Sequence, residues 1–496
     1  MLYCCSGNNN TESVMGTINK KSVRDEFNRL EAEFSQLRSD GKVSKECHIL
    51  FKSLFLLMNL ILTIFLEKST KKNSKNSSKP SSQSDEDKSF PGNKGTTGKG
   101  KSEKKNTADN SKTTETVTLS KVHQCNVCGE DLSNTTSHHC ERRTKIDIVF
   151  EKVVEHVDAE IKHCPNCDST VKGSFPEDMQ GPLQYGNGIK AYIINLLVCQ
   201  MISLNRVQKL VKAMIGTIIA ESTMLKFILR LYQALENWES LAMEQLLKSP
   251  AINVDETSLR VDKKRQWIHV YSSGNITCKL LHKKRGKEAI DEFNIIPRYG
   301  GVIIHDCWGS YLTYNNCDHG LCGSHLLREL TFVVESNGYA WASNMKALLQ
   351  ETCRTVSKGK RKKLTEKKYA NLQKRYRNII TRGEKELPII PPKSNGKRGK
   401  IAKSDAHNLW ERLKEHESSV LLFARNKHVS FTNNRAERDL RMSKVKQKVS
   451  GCFRMEIYAK AYCRISSYLQ TMANKGVNPL IAIQMALTGK FDWMED

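Results

Sequence analysis

Acidic residues are in short supply in this 496-residue chain. It has 53 Asp+Glu against 79 Lys+Arg, a formal net charge of +26. An excess that large suggests a polyanionic partner, nucleic acid first and an anionic membrane surface second, and charge alone does not choose between them. Long apolar runs are almost missing as well. Ile49–Leu66 is the one strong run, and it is broken by Lys52, Ser53, Asn59 and Thr63. Its length is marginal for a transmembrane helix. Leu50, Leu54, Leu57, Ile61 and Ile64 also fit the seam of a coiled-coil or core helix, and the mid-span Asn59 favours that reading over a membrane one. No secretory signal peptide is expected ahead of the 16 cysteines. Several are paired as C-x-x-C, so metal sites in a reducing cytosol fit better than a disulfide scaffold.

The chain divides by composition. Residues 1–69 are expected to be an N-terminal helical, coiled-coil-like segment, with a short helix near Val23–Leu37. Residues 70–120, rich in Lys, Ser, Asn, Gly and Thr, cannot bury enough apolar surface to order and read as a flexible basic linker. Within 121–172, Cys125/Cys128 and Cys164/Cys167 form two knuckles. Each can present two thiolates from a tight turn, and together they make a Cys₄ site for one structural Zn²⁺. His139, Cys140 and His163 are rival ligands in the long intervening loop. Residues 173–250 are helical, with Ile189–Met201, Arg206–Ile215 and Ser222–Leu246 as expected helices. The break at Gly216 allows a helix-turn-helix for a DNA major groove, and plain helical packing explains the same pattern.

The stretch Ala251–Asp306 organises the rest. A short apolar run, Ala251–Val254, meets a carboxylate at Asp255. Strand-like runs follow at Gln266–Tyr271 and Ile276–Leu281, then a helix at Gly286–Ile296, then Val302–His305 leading into Asp306. Strand–strand–strand–helix–strand, with Asp ending the first and fourth strands, is the opening of an RNase H-like α/β fold. A third acid, Glu437, is expected on a basic helix, Arg435–Lys448, preceded by a short extended run at Val429–Phe431. On and beside that helix, Asn433, Asn434, Arg435, Arg438, Arg441, Lys444, Lys446 and Lys448 are candidate DNA contacts. Residues 251–496 are thus expected to be the catalytic domain, with an α-helical insertion over about 331–428 and a basic loop at Pro391–Lys400. Two aspartates and a glutamate brought together by a sheet suit two Mg²⁺ or Mn²⁺ ions. Two ions about 3.5–4 Å apart serve in-line phosphoryl transfer.

Asp255-Glu256-Thr257, His305-Asp306-x-Trp308-x-Ser310-Tyr311, Cys322-x-x-His325-x-Leu327-Arg328-Glu329-Leu330 and Thr432–Met442 closely resemble the insertion sequence 66 family of bacterial transposases. So do Lys446–Arg454 and the paired knuckles; the likeness covers roughly residues 45–490. Gly323-Ser324 and Ser466-Ser467 depart from the pattern. The resemblance implies a DDE-type recombinase with Asp255, Asp306 and Glu437 as its metal-binding triad. By the same resemblance it would act on double-stranded DNA, both element ends and target, in the cytoplasm at the nucleoid. It would work as a homo-oligomer with accessory proteins of the same element, and without a membrane. Cys322 and His325 resemble a C-x-x-H element of related transposases; a metal role and one turn of helix locked by packing are the two readings, with the second favoured. End recognition is expected in residues 121–250 and non-specific phosphate contact elsewhere. The alternative is a catalytically inert, zinc-containing DNA-binding protein derived from such an element.

Overall fold

A computed structural model describes residues 20–70, 72–73, 76, 117–146, 151–179, 181–390 and 403–489. Nearly all of the expected basic linker lies outside them, as does the basic loop at Pro391–Lys400.

The first two helices, α1 (Lys20–Ser39) and α2 (Lys45–Ser69), fold back on each other. Aromatic contacts join them: Phe27 meets Phe55, and Phe34 meets Phe51 and Phe55, with ring centroids 5.0–5.8 Å apart. α2 is long and apolar enough to cross a membrane by length and composition, and most of its length is exposed. Its last turns dock on the body of the protein, where the buried Glu67 carboxylate accepts from Asp405 N (2.5 Å), Ala406 N (2.9 Å) and Asn337 Nδ2 (3.2 Å). Arg24 of α1 joins the same contact through Asn337 O and Thr63, and stacks over Tyr339. A carboxylate buried by capping a helix start ties α2 to protein more naturally than to lipid.

A small hairpin of β1 (Ile161–His163) and β2 (Thr170–Lys172) follows, then four helices: α3 (Asn187–Val198), α4 (Leu204–Ile215), α5 (Glu221–Ala234) and α6 (Glu236–Leu247). The single helix expected over Ser222–Leu246 is therefore two, split at Leu235. The main sheet comprises β3 (Ala251–Val261), β4 (Lys264–Ser273), β5 (Ile276–His282), β6 (Val302–His305) and β7 (Asp318–Leu321), with α7 (Lys287–Phe293) between β5 and β6. Its order is β5-β4-β3-β6-β7. The first three strands are antiparallel neighbours, whereas β6 runs parallel to β3 and β7 parallel to β6. Five helices follow: α8 (Gly323–Asn337), α9 (Ala340–Lys358), α10 (Glu366–Glu386), α11 (Asp405–Glu415) and α12 (Glu417–Arg425). Three more complete the described chain: α13 (Asn434–Ser450), α14 (Glu456–Asn474) and α15 (Pro479–Leu487).

Each face of the sheet carries its own core. β6 shows why: Ile303 joins one apolar cluster, whereas Val302 and Ile304 join the other. Successive strand residues point to opposite faces, so a strand covered on both sides reads as an unbroken apolar run. The first cluster draws in α3–α6, α14 and α15, with Trp238 against Tyr468 at 5.3 Å. The second holds α8–α12. Residues 187–247, expected as a separate helical region ending at 250, thus share a core with the sheet. Two further expectations change. β3 does not stop at Asp255 but runs six residues on, because a tight turn with Asp262 and Lys263 at positive φ pairs it with β4 along its length. Val429–Phe431 forms no strand.

Phe431 instead packs against the start of α8. Gly323 N donates to Phe431 O at 2.7 Å, and a Cβ at Gly323 would lie 2.2 Å from the Phe431 ring. The glycine that departs from the family pattern here is thus matched to a bulky neighbour. Gly323→Ala should destabilise the protein by about 1–3 kcal/mol through overpacking. Phe431→Leu in the same chain should recover part of the loss in a thermal melt. An unchanged Tm for Gly323→Ala would show the contact to be slack.

Candidate active site

The parallel register of β3 and β6 places two acids side by side. Their last pair is Asn253–Ile304, and two residues beyond it on each strand stand Asp255 and Asp306. Asp306 opens a strained turn: Cys307 adopts φ +68°, a region unfavourable for a side chain that is neither Gly nor Asn. Trp308 N donates back to Asp306 Oδ1 at 3.1 Å. Glu437 arrives from the first turn of α13. Asn433, which caps α13, fixes that helix by donating from Nδ2 to Val254 O (2.7 Å) and accepting from Asn253 Nδ2 (2.9 Å). Burial raises the Asp255 pKa well above the ordinary value, and the charges of Glu256, Asp306 and Glu437 push it further. Asp255 therefore feels the other two expected acids.

A fourth carboxylate, Glu256, stands in the Asp255-Glu256-Thr257 motif, and the sequence alone assigns it no role. It is buried, accepts from Arg285 (2.6 and 2.8 Å) and from Tyr311 OH (2.7 Å), and links strand β3 to the loop after Asp306. Arg285 is itself stacked over Trp308 at 4.3 Å and Trp267 at 5.1 Å. Burial and Asp306 raise the Glu256 pKa, while Arg285 and Tyr311 hold it back. Asp439 plays the matching part for α13. Fully buried, it takes Ser272 Oγ at 2.7 Å, Thr277 Oγ1 at 2.9 Å and Arg435 Nε at 2.9 Å.

Cys322 and His325 also come to this place. With Glu437 they form a group of three ligand atoms all within 4.8 Å of one another. Burial opposes a charged imidazole, yet the Cys322 sulfur, Glu437 and Asp306 raise the His325 pKa to about 9. His325 Nδ1 lies 3.7 Å from Glu437 Oε1. Asn433 N donates to Cys322 Sγ at 3.1 Å.

The family model described as Transposase IS66 family matches residues 182–461, more than half of the chain. The chain belongs to that family. No curated protein matches it. The matched span begins just before α3 and ends within α14, so it contains all four carboxylates, Cys322 and His325.

On this transposase the eight candidate DNA contacts separate into two sets. Asn434, Arg438, Arg441 and Lys448 face solvent. The other four are engaged inside the protein. Asn433 is buried as the cap, and Arg435 binds Asp439 and Gly274 O. Lys444 donates to Ser258 O and Lys446 to Leu197 O. A basic helix lying on a sheet turns part of its charge inward, which a sequence count cannot register. Ser466-Ser467, the other departure from the family pattern, is buried too, with Ser467 Oγ accepting from Lys279 N. That position faces β5, not a phosphate.

The two cysteine knuckles each form. Cys125 N donates to Glu130 O, and Cys164, which follows β1, donates from N to Ser169 O. Hydrogen bonds within the turns, first from the Cys128 backbone and from the Ser169 side chain, lower the Cys125 and Cys167 thiols respectively. Among the described residues the four sulfurs are not drawn into one group, and neither are His139, Cys140 and His163.

The carboxylate cluster has a thermodynamic consequence. A carboxyl whose folded pKa is raised stabilises the fold while protonated, and that contribution is lost as pH rises through the folded value. Near neutrality the unfolded carboxyl is ionised, and folding must either bury that charge or bind a proton, so Asp255 works against folding. Asp255→Asn keeps an acceptor for Glu256 N, which Asp255 Oδ1 now accepts at 2.8 Å. In metal-free buffer at pH 7 it should raise Tm by a few degrees, as about 1 kcal/mol does in a domain this size. The gain should vanish in acid below the ordinary Asp pKa. A lower Tm for Asp255→Asn at pH 7 would contradict the charge argument.

Proposed function

We propose that this transposase binds the terminal DNA of its element and cuts and joins DNA strands by phosphoryl transfer, with Asp255, Asp306 and Glu437 as the catalytic triad. The observation that carries this reading is the convergence of the three acids where β3 and β6 part. Strand order supports an RNase H-like core for it: three antiparallel strands, then two parallel strands added beside the first. The donors are all hard carboxylate oxygens, and Glu437 Oε1 is buried with no hydrogen-bond partner among the described residues. That set fits Mg²⁺ or Mn²⁺. When bound, such ions would activate the attacking hydroxyl and stabilise the leaving oxygen. The chain's own residues orient the acids. Tyr311 and Arg285 hold Glu256 away from the DNA while the Cys307 turn aims Asp306, and Asn433 with Asp439 sets the height of α13.

The solvent-facing Arg438, Arg441 and Lys448 suit phosphate contacts beside the triad, which add affinity without sequence information. Recognition of the ends is assigned to the knuckle region and to α4–α5, where Arg206, Lys209, Lys212, Lys226 and Arg230 are exposed. Because α3–α6 share the sheet's core, this assignment is tested by substitutions in the intact chain. Four thiolates on two knuckles suit one structural zinc. Serine at Cys125, Cys128, Cys164 or Cys167 should lower the zinc content and loosen only the region around 121–172. Equal zinc in wild type and all four variants would remove the assignment.

The central test uses DNA ends and Mg²⁺. Asp255→Asn, Asp306→Asn and Glu437→Gln should each abolish nicking and joining, while gel-shift affinity for the ends stays within a few-fold. Near-normal cleavage by any one of them takes that residue out of the triad.

A further inference from the structure

We propose that Cys322, His325 and Glu437 form a binding site for a soft divalent cation, zinc foremost, and that its occupancy withdraws Glu437 from the triad. Binding stands on geometry alone; the consequence for catalysis rests on the function proposed above.

Cys322 and His325 lie three residues apart at the start of α8, so both side chains project from one side of its first turn. Glu437 projects from the first turn of α13. The ligand atoms of the three residues fall within 4.8 Å of one another, the one such group of three or more among the described residues. Two of these atoms face each other as an ion pair. His325 Nδ1 and Glu437 Oε1 are both buried without a hydrogen-bond partner among the described residues. They lie 3.7 Å apart, too far for a hydrogen bond and close to the spacing of two ligands on one ion. The third ligand is fixed in advance, since Asn433 N donates to Cys322 Sγ at 3.1 Å and so favours thiolate. Two helix starts meet at the group, and both favour negative charge there.

The donor set chooses the metal. A thiolate, an imidazole and a carboxylate suit zinc in a tetrahedral site with its fourth position open. Mg²⁺ has no use for the sulfur and would take the carboxylate oxygens alone. Glu437 is thus shared by a soft site facing α8 and a hard site facing β3 and β6. It serves one at a time. Zinc would lock the carboxylate toward Cys322 and His325, and the transposase would fall silent until the zinc is removed.

The test is a zinc count on full-length protein loaded with zinc and desalted, comparing wild type with Cys322→Ser and His325→Ala. Each variant should bind one zinc fewer per chain, whatever the knuckles bind. The Co²⁺-loaded wild type should lose part of its thiolate-to-cobalt absorption on Cys322→Ser. Circular dichroism checks folding, and His325→Gln replaces any variant that fails to fold. Equal zinc counts in all chains overturn the site. A second readout addresses the consequence. With Mg²⁺ held constant, added zinc should slow wild-type cleavage more than that of Cys322→Ser, each scored against its own zinc-free rate. A zinc count that falls by one without such a difference would overturn the withdrawal of Glu437. Absence of any Mg²⁺-dependent cleavage would count against the proposed function and leave the zinc count standing.

Discussion

Like charges held close in a partly buried place dominate this structure. Burial first, then the charges of the neighbouring acids, raise the proton affinity of Asp255 and Glu256, and nothing intrinsic to any one of these acids brings them together. They are assembled by backbone elements that have other reasons to pack. β3 and β6 pair because both bury apolar residues on both faces. α13 packs because Ala436 and Leu440 enter the core. The carboxylates come along at positions where repulsion is tolerated only because the surrounding bonds over-determine the geometry.

Those surrounding bonds form two separate clamps. Glu256 with Arg285 and Tyr311 ties the strand bearing Asp255 to the loop bearing Asp306. Asp439 with Ser272, Thr277 and Arg435 ties α13 to β4 and β5. Each clamp uses a buried acid that accepts several hydrogen bonds, unlike Glu437, whose buried Oε1 has no hydrogen-bond partner among the described residues. The contrast sorts the acids by role: satisfied carboxylates hold the frame, and an unsatisfied one is left for a ligand. Such a division keeps the frame rigid while the charge of Glu437 remains available.

The helices between β7 and α13 have a structural part to play in this. They build the second core on the sheet's other face, and they present the first turn of α8 to Glu437. They also receive α2, whose Glu67 caps α11. The N-terminal helices are thereby joined to the same layer that carries Cys322 and His325. One layer therefore links the N-terminal segment to the edge of the candidate site.

Much was legible in the chain itself. The order of strands and helices from Ala251 to Asp306 followed from β-branched runs and turn residues, and the family followed from motifs local in sequence, such as Asn433-Asn434-Arg435-Ala436-Glu437. These are short-range signals, and one residue type at one spacing carries them. What the tertiary structure decided is of another kind. β3 runs through Asp255 because its partner β4 continues, and Leu235 interrupts a helix that its periodicity would have carried on. The helices before 250 belong to the sheet's core because an amphipathic face does not name its partner. Arg435, Lys444 and Lys446 turned inward for the same reason. The meeting of Cys322 and His325 with Glu437, more than a hundred residues away, depends on how α8 and α13 start against each other. A sequence lists its charges and sulfurs in order, whereas only packing fixes which of them share a neighbour.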